Sequence, residues 1–235
     1  MLRAALVDVG GTLWPDRGPP GEAQCRVRQL HALLPQLTRE QASLLADALN
    51  APALKWERDG ALAQDTDATV EEVLLERGIR EADTVSIRRA MCIPASKGIH
   101  LFNGAPQLLR LIHDLGWRTV VVSNTAWRDA ESYRSDFDYC GVGAHIDVIV
   151  TSLDVKFRKP HEEIFRVAIG AAGCSARECV VVGDSEERDI APAVQRGMRS
   201  LLVAIERPPP PTTAADDVAT SLQEASKIIR SWISS

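Results

Sequence analysis

The stretch Asp8-Val9-Gly10-Gly11-Thr12 carries a candidate nucleophile, because its glycines let backbone amides approach an anionic group reacting at the Asp8 carboxylate. Ser123-Asn124 supplies a hydroxyl and neighbouring amides suited to a phosphoryl oxygen. Lys159, within Arg158-Lys159-Pro160 and close to Lys156, supplies a cation that would neutralise a phosphoryl group or the nucleophilic carboxylate. Asp184, in Gly183-Asp184-Ser185, and Asp189 add two carboxylates. Beside Asp8 they would make an oxygen-rich set of the kind Mg²⁺ prefers. Taken singly, each has an ordinary structural use: Asp8 as a loop cap, Ser123 as a turn former, Lys159 as a surface cation, Asp184 and Asp189 as helix N-caps.

For these residues to meet, the chain must bring several strand ends together. The apolar run 4–7 stops at Asp8 and reads as a buried strand. Runs at 119–123, 147–151, 179–183 and 201–203 read the same way, and helical segments at 105–115, 162–172 and 190–196 alternate with them. That alternation predicts an α/β fold, a doubly wound, Rossmann-like parallel sheet whose ligands lie beyond the carboxyl ends of the strands. The strand-terminal residues are then Asp8, Ser123, Thr151 and Asp184. Between about Gln24 and Met91 the periodicity is helical throughout, with capping-box candidates at Thr38-x-x-Gln41 and Thr69-x-x-Glu72. The expected division is a core of residues 1–16 and 98–235 and an inserted helical cap of residues 17–97. Residues 208–211, all proline, form a stiff connector, and 218–233 read as a final amphipathic helix.

Composition narrows the class. The 235 residues hold 27 Lys and Arg against 32 Asp and Glu, a formal net charge of −5. An acidic balance argues against a general nucleic-acid or anionic-membrane surface. No apolar run approaches the ~18 residues of a membrane span. The N-terminal stretch meets Asp8 before a secretory apolar region of roughly 7–15 residues is complete, so a cytoplasmic protein is expected. Cys25, Cys92, Cys140, Cys174 and Cys179 form no C-x-x-C pair and suit neither a disulfide framework nor a zinc site.

The four motifs in this order resemble those of the haloacid dehalogenase (HAD) superfamily: Asp8-Val9-Gly10-Gly11-Thr12-Leu13, Val122-Ser123-Asn124, Arg158-Lys159-Pro160 and Gly183-Asp184-Ser185-Glu186-Glu187-Arg188-Asp189. The resemblance covers residues 6–203, with the helical stretch similar to a C1-type cap. It implies a Mg²⁺-dependent hydrolase acting through an aspartyl-phosphate, most simply a phosphatase for a small phosphorylated metabolite. Carried over, it makes Asp8 the nucleophile. Ser123 and Lys159 hold the phosphoryl group, with Gly11, Thr12 and Asn124 beside it. Asp8, Asp184 and the backbone carbonyl of Gly10 become metal ligands, with Asp189 completing the acidic set by orienting Lys159 or a metal-bound water.

The sequence departs from the usual phosphatase pattern at Gly10, where the family's phosphatases carry a second aspartate that protonates the leaving alcohol. Such a group contributes ~10²–10⁴-fold. If the missing acid is what limits the enzyme, Gly10→Asp raises hydrolysis of alkyl over aryl phosphates; an unchanged ratio means that another group already supplies the proton. Three alternatives stay open: dehalogenation of a 2-haloacid, phosphonate hydrolysis with Lys55 as the cap lysine, and binding of a phosphorylated ligand with little turnover. Trp14 and Trp127 either line the substrate entrance or pack inside. Arg26 and Arg28 either face the site or lie on a solvated helix face, and His161 sits near a helix start.

Overall fold

In the computed structural model, which describes residues 1–60 and 62–234, the run Ala4–Val7 forms β1, an inner strand of a six-stranded parallel sheet. Around it lie β2 (Arg118–Ser123), β3 (Val148–Thr151), β4 (Cys179–Gly183), β5 (Arg199–Val203) and β6 (Asp217–Ala219), in the order β3-β2-β1-β4-β5-β6. Successive side chains of a strand point to opposite faces. Ala5 and Val7 accordingly join one apolar layer, and Ala4 and Leu6 the other. Central strands covered on both faces read as continuous apolar runs, which is why β1, β2 and β4 are so plain in the sequence.

The helical stretch after β1 holds α1 (Glu22–Leu33), α2 (Arg39–Arg58), α3 (Thr66–Glu76) and α4 (Thr84–Met91). These helices bury a separate apolar cluster that includes Leu30, Leu45, Leu49, Val70, Ile87 and Met91. The Thr38 capping box forms as expected: Gln41 N donates to Thr38 Oγ1 at 3.2 Å and Thr38 N to Gln41 Oε1 at 2.7 Å. Thr69 does not cap. Asp65 starts α3 instead, accepting from Ala68 N at 3.1 Å, and Thr69 lies inside the first turn with its hydroxyl on the Asp65 carbonyl.

Beyond this stretch, α5 (Ala105–Asp114) and α6 (Ala130–Tyr139) pack on the Val7 face of the sheet. The short turn α7 (Ser152–Val155) follows β3, and α8 (Glu162–Ala172) and α9 (Ala191–Gln195) cover the opposite face. The helix expected from residue 190 is preceded by a wide turn over Glu186–Ile190. Residues 218–233 are only partly helical. Val218 pairs with Leu202 in β6, and α10 (Leu222–Ser234) starts later, with Glu224 N donating to Ser221 Oγ at 3.2 Å. Among the described residues no helix is long and apolar enough to cross a membrane.

Candidate active site

β1, β2 and β4 run parallel and side by side, so the residues that follow them meet at one edge of the sheet. Asp8 is fixed there by its own amide, which donates to Val182 O at 2.9 Å, and by Thr12 Oγ1, which donates to Asp8 Oδ2 at 3.1 Å. Lys159 reaches the same point from the loop before α8. Its Nζ donates to Asp8 Oδ1 at 2.5 Å and to Asp189 Oδ1 at 2.6 Å. Burial works against a charge on Lys159, but Asp189 and Asp8 overcome it and hold the ammonium protonated above the ordinary lysine value. Asp189 keeps its orientation because Ser185 N donates to its Oδ2 at 3.1 Å.

Ser123 ends β2 with its hydroxyl 2.7 Å from the Tyr133 phenol, whose pKa is raised by burial. Asn124 staples the Lys159 loop to β2: its Oδ1 accepts from Lys159 N at 2.7 Å and its Nδ2 donates to Lys159 O at 3.0 Å. Ser123, Asn124, Lys159, Asp8, Gly10, Asp184 and Asp189 all line one cavity of about 480 Å³ between the sheet edge and the helical stretch.

Asp8, Asp184 and Asp189 each present a carboxylate oxygen, all within 4.8 Å of one another. One ammonium balances three carboxylates. The consequence falls on Asp184, whose pKa is pushed up to about 7 by burial, then by the charges of Asp8 and Asp189. Uncompensated hard oxygen donors in a part-buried site are the chemistry of a small divalent cation. The residues present therefore fit Mg²⁺.

Some expected placements are corrected. Gly11 and Thr12 do not face the cavity. Gly11 N donates to Trp14 O at 2.8 Å and Thr12 N to Val9 O at 3.2 Å, so both amides are engaged inside the loop. Gly11 serves Asp184 by its lack of a side chain: with φ +73°, a Cβ there would lie 2.4 Å from Asp184 Oδ2. The Asn124 side chain is held by the Lys159 backbone and leaves only its position beside the cavity. Thr151 caps α7, accepting from Asp154 N at 3.1 Å, and takes no part. Trp14 packs inside, stacked on Tyr133 and Phe137. Trp127 both lines the cavity and joins the apolar cluster of α1–α4. Arg26 faces the cavity while Arg28 is exposed. Lys55 is exposed and paired with Asp59 at 3.0 Å. His161 caps α8, its Nδ1 accepting from Glu163 N.

The structure adds cavity residues that the sequence pattern did not single out. Glu57 of α2 reaches across to Arg158 and lies 3.5 Å from Arg188. Arg128 lies over the Trp14 and Tyr133 rings and binds Asp136 Oδ2 at 2.7 Å. Asp16 stands beside Gly10, at the mouth of the cavity. The sequence carried no distinct signal for them, since Glu57 lies within Lys55-Trp56-Glu57-Arg58-Asp59 and Arg128 and Asp16 each precede another charged residue.

Comparison with known proteins settles the family: a model described as haloacid dehalogenase-like hydrolase matches residues 2–197. The chain belongs to the haloacid dehalogenase-like hydrolases. It is 27% identical over 213 residues to the glyceraldehyde 3-phosphate phosphatase of Methanothermobacter thermautotrophicus, covering 88% of this chain and 87% of that one. The match to the protein of the same name from Methanocaldococcus jannaschii, at 32% identity, spans 38% of this chain and 40% of that one. Among solved HAD structures, the HAD phosphatase of Thermococcus onnurineus shares the fold with a TM-score of 0.64 at 19% identity, over 97% of this chain and 98% of that one. The L-2-haloacid dehalogenase of Xanthobacter autotrophicus shares it with a TM-score of 0.58 at 15% identity, over 98% and 99%. This protein is thus a HAD-like hydrolase with phosphatase-named relatives.

Proposed function

We propose that this HAD-like hydrolase is a Mg²⁺-dependent phosphatase for a small phosphorylated metabolite, with Asp8 as the nucleophile. The observation that carries the reading is the pairing of Asp8 Oδ1 with Lys159 Nζ at 2.5 Å inside a cluster of three carboxylates. Lys159 orients Asp8 and meets the phosphoryl charge, and Asp189 keeps Lys159 in place. The Ser123 hydroxyl, set by Tyr133, donates to a phosphoryl oxygen. Asp8, Asp184 and the carbonyl of Gly10 would hold Mg²⁺, which when bound lowers the repulsion between a carboxylate and a phosphate. Gly10 stands where phosphatases of the family carry their second aspartate. Residues 17–97 act as a C1-type cap over a core of residues 1–16 and 98–235, excluding water and presenting specificity residues such as Arg26. The similarity to a glyceraldehyde 3-phosphate phosphatase over 88% of this chain supports a phosphorylated substrate of that size.

The other readings have less support. A halide leaves without a cation, yet Asp8, Asp184 and Asp189 bring three carboxylate oxygens within 4.8 Å of one another, a donor set suited to one. Lys55, the lysine a phosphonate hydrolase would use, is exposed outside the cavity. The test is phosphate release from p-nitrophenyl phosphate and a panel of metabolite phosphates, with and without Mg²⁺, with Asp8→Asn as control. Mg²⁺-dependent turnover that Asp8→Asn abolishes is expected. Turnover indifferent to Mg²⁺, or halide release from 2-haloacids without phosphate release, overturns the reading.

A further inference from the structure

Position 10 has no side chain, yet its place is not empty. The loop after β1 doubles back, Gly10 bridging to Trp14 and Gly11 N bonding Trp14 O, so that Asp16 returns alongside Gly10. A Cβ built on Gly10 would lie 2.8 Å from Asp16 Oδ1 and 3.8 Å from its Cγ. The Asp16 carboxylate therefore stands within the reach that an aspartate at position 10 would have.

Two contacts from the segment after β5 hold it there. Asp16 N donates to Glu206 Oε2 at 3.0 Å, and Arg207 Nη2 donates to Asp16 Oδ2 at 3.1 Å. Arg207 takes Oδ2 and leaves Oδ1 on the Gly10 side. Asp16 and Gly10 line the same cavity as Asp8, Lys159 and Asp184. A loop carboxylate fixed through one oxygen, with the other on the Gly10 side of the cavity that holds Asp8, has the form of a general acid/base.

We propose that Asp16 is the catalytic proton carrier, doing from the loop what a side chain at position 10 does in relatives that have one. The inference rests on the phosphoryl-transfer reading above. In the first step an Asp8 oxygen bonds to phosphorus, the ester P–O bond breaks, and Asp16 gives its proton to the departing alcohol oxygen. In the second, water attacks the aspartyl-phosphate and Asp16 takes the water proton. The P–O bond to Asp8 then breaks, regenerating the carboxylate and releasing inorganic phosphate. The sum is ester plus water to alcohol plus phosphate.

The test uses the full chain with Mg²⁺ and compares wild type, Asp16→Asn, Gly10→Asp and the double variant Gly10→Asp/Asp16→Ala. Glycerol phosphate serves as the alkyl substrate and p-nitrophenyl phosphate as the aryl one. Asp16→Asn is expected to lose ~10²-fold or more of alkyl turnover. With the aryl ester, whose leaving group needs no proton, it is expected to give a rapid burst of p-nitrophenol and then slow turnover, because the second step still lacks its base. Gly10→Asp alone brings a second carboxylate against Asp16 and brings no gain, whereas the double variant recovers most alkyl activity. An Asp16→Asn enzyme with the wild-type alkyl-to-aryl ratio and no burst overturns the inference. So does an equal loss on both substrates that the double variant does not recover, since that is the mark of a structural role. Wild type without Mg²⁺-dependent turnover, or Asp8→Asn with wild-type turnover, instead defeats the phosphoryl-transfer reading, and this inference with it.

Discussion

Asp184 is the residue at which the charge of the site is least balanced, and two predictions belong to it. Its carboxyl is pushed up to about 7 by burial first and then by Asp8 and Asp189. A carboxyl whose pKa is raised on folding holds its proton more tightly in the folded chain. The metal-free protein therefore loses stability as pH rises from about 4 toward about 7, and a divalent cation that displaces the proton restores it. The rise in Tm produced by Mg²⁺ is expected to be larger at about pH 8 than at about pH 5.5. Equal rises would remove Asp184 from the metal site. The second prediction concerns the glycine that makes room for it. Gly11→Ala places a methyl 2.4 Å from Asp184 Oδ2 at a backbone φ of +73°. Beyond a strain cost of about 1–2 kcal/mol, it is expected to weaken Mg²⁺ binding at least ~10-fold, about 1.4 kcal/mol. Gly78→Ala is the control: it has φ +66° with nothing within 4 Å, so it carries the same backbone strain and leaves Mg²⁺ affinity unchanged in calorimetric titration.

At the level of elements, what the sequence makes legible follows from where local pattern decides structure. β1, β2 and β4 are apolar runs because both faces of an inner parallel strand are covered, and their ends carry the chemistry, so Asp8, Ser123 and Asp184 are found by asking where each run stops. β6 was hidden because Asp217–Ala219 is short and lies at the sheet edge, where Val218 alone carries the strand signal. Glu57, Tyr133 and Asp16 were hidden for a different reason. Glu57 meets the site through packing of segments distant in the chain. Tyr133 and Asp16 lie ten and six residues on from the Ser123 and Gly10 they approach, and reach them by a loop and helix geometry that no spacing records. Glu57 shows what such packing does: from α2 it occupies Arg158, whose guanidinium is lowered to about 10 by burial and by Arg188. The carboxylate stands where an anionic part of a substrate would otherwise meet the two arginines. Glu57→Gln keeps a hydrogen-bonding group and removes the competing charge. It is expected to lower KM for phosphorylated substrates several-fold with kcat little changed, at a stability cost of about 1 kcal/mol or less because the Glu57 side chain is half-exposed. A raised KM in steady-state kinetics would mean that Glu57 orients the arginines for substrate rather than competing for them.

Over the whole molecule the relevant quantity is the charge gathered around the cavity, which exists only when the helical stretch and the sheet edge are assembled. Arg26 comes from α1, Arg128, Arg158 and Lys159 from loops beyond the strands, and Arg188 from the turn after β4; against these five cations stand the six carboxylates of Asp8, Asp16, Glu22, Glu57, Asp184 and Asp189. With all of them ionised, the ring is negative by one charge, in a chain whose net charge is already −5. A phosphate dianion entering such a ring is repelled on balance, whereas one bound Mg²⁺ turns the ring positive by one. Mg²⁺ and inorganic phosphate are therefore expected to bind cooperatively, each raising the affinity of the other by the same factor, since binding linkage is reciprocal. A coupling of about 1–3 kcal/mol corresponds to a factor of about 5–150. Calorimetric titration of the full-length protein with phosphate, without Mg²⁺ and at saturating Mg²⁺, measures one side of that cycle, and titration with Mg²⁺ at zero and saturating phosphate measures the other. Phosphate binding of equal strength with and without Mg²⁺ would show that the arginines alone carry the anion, and that the acidic cluster serves to hold Lys159 rather than a cation.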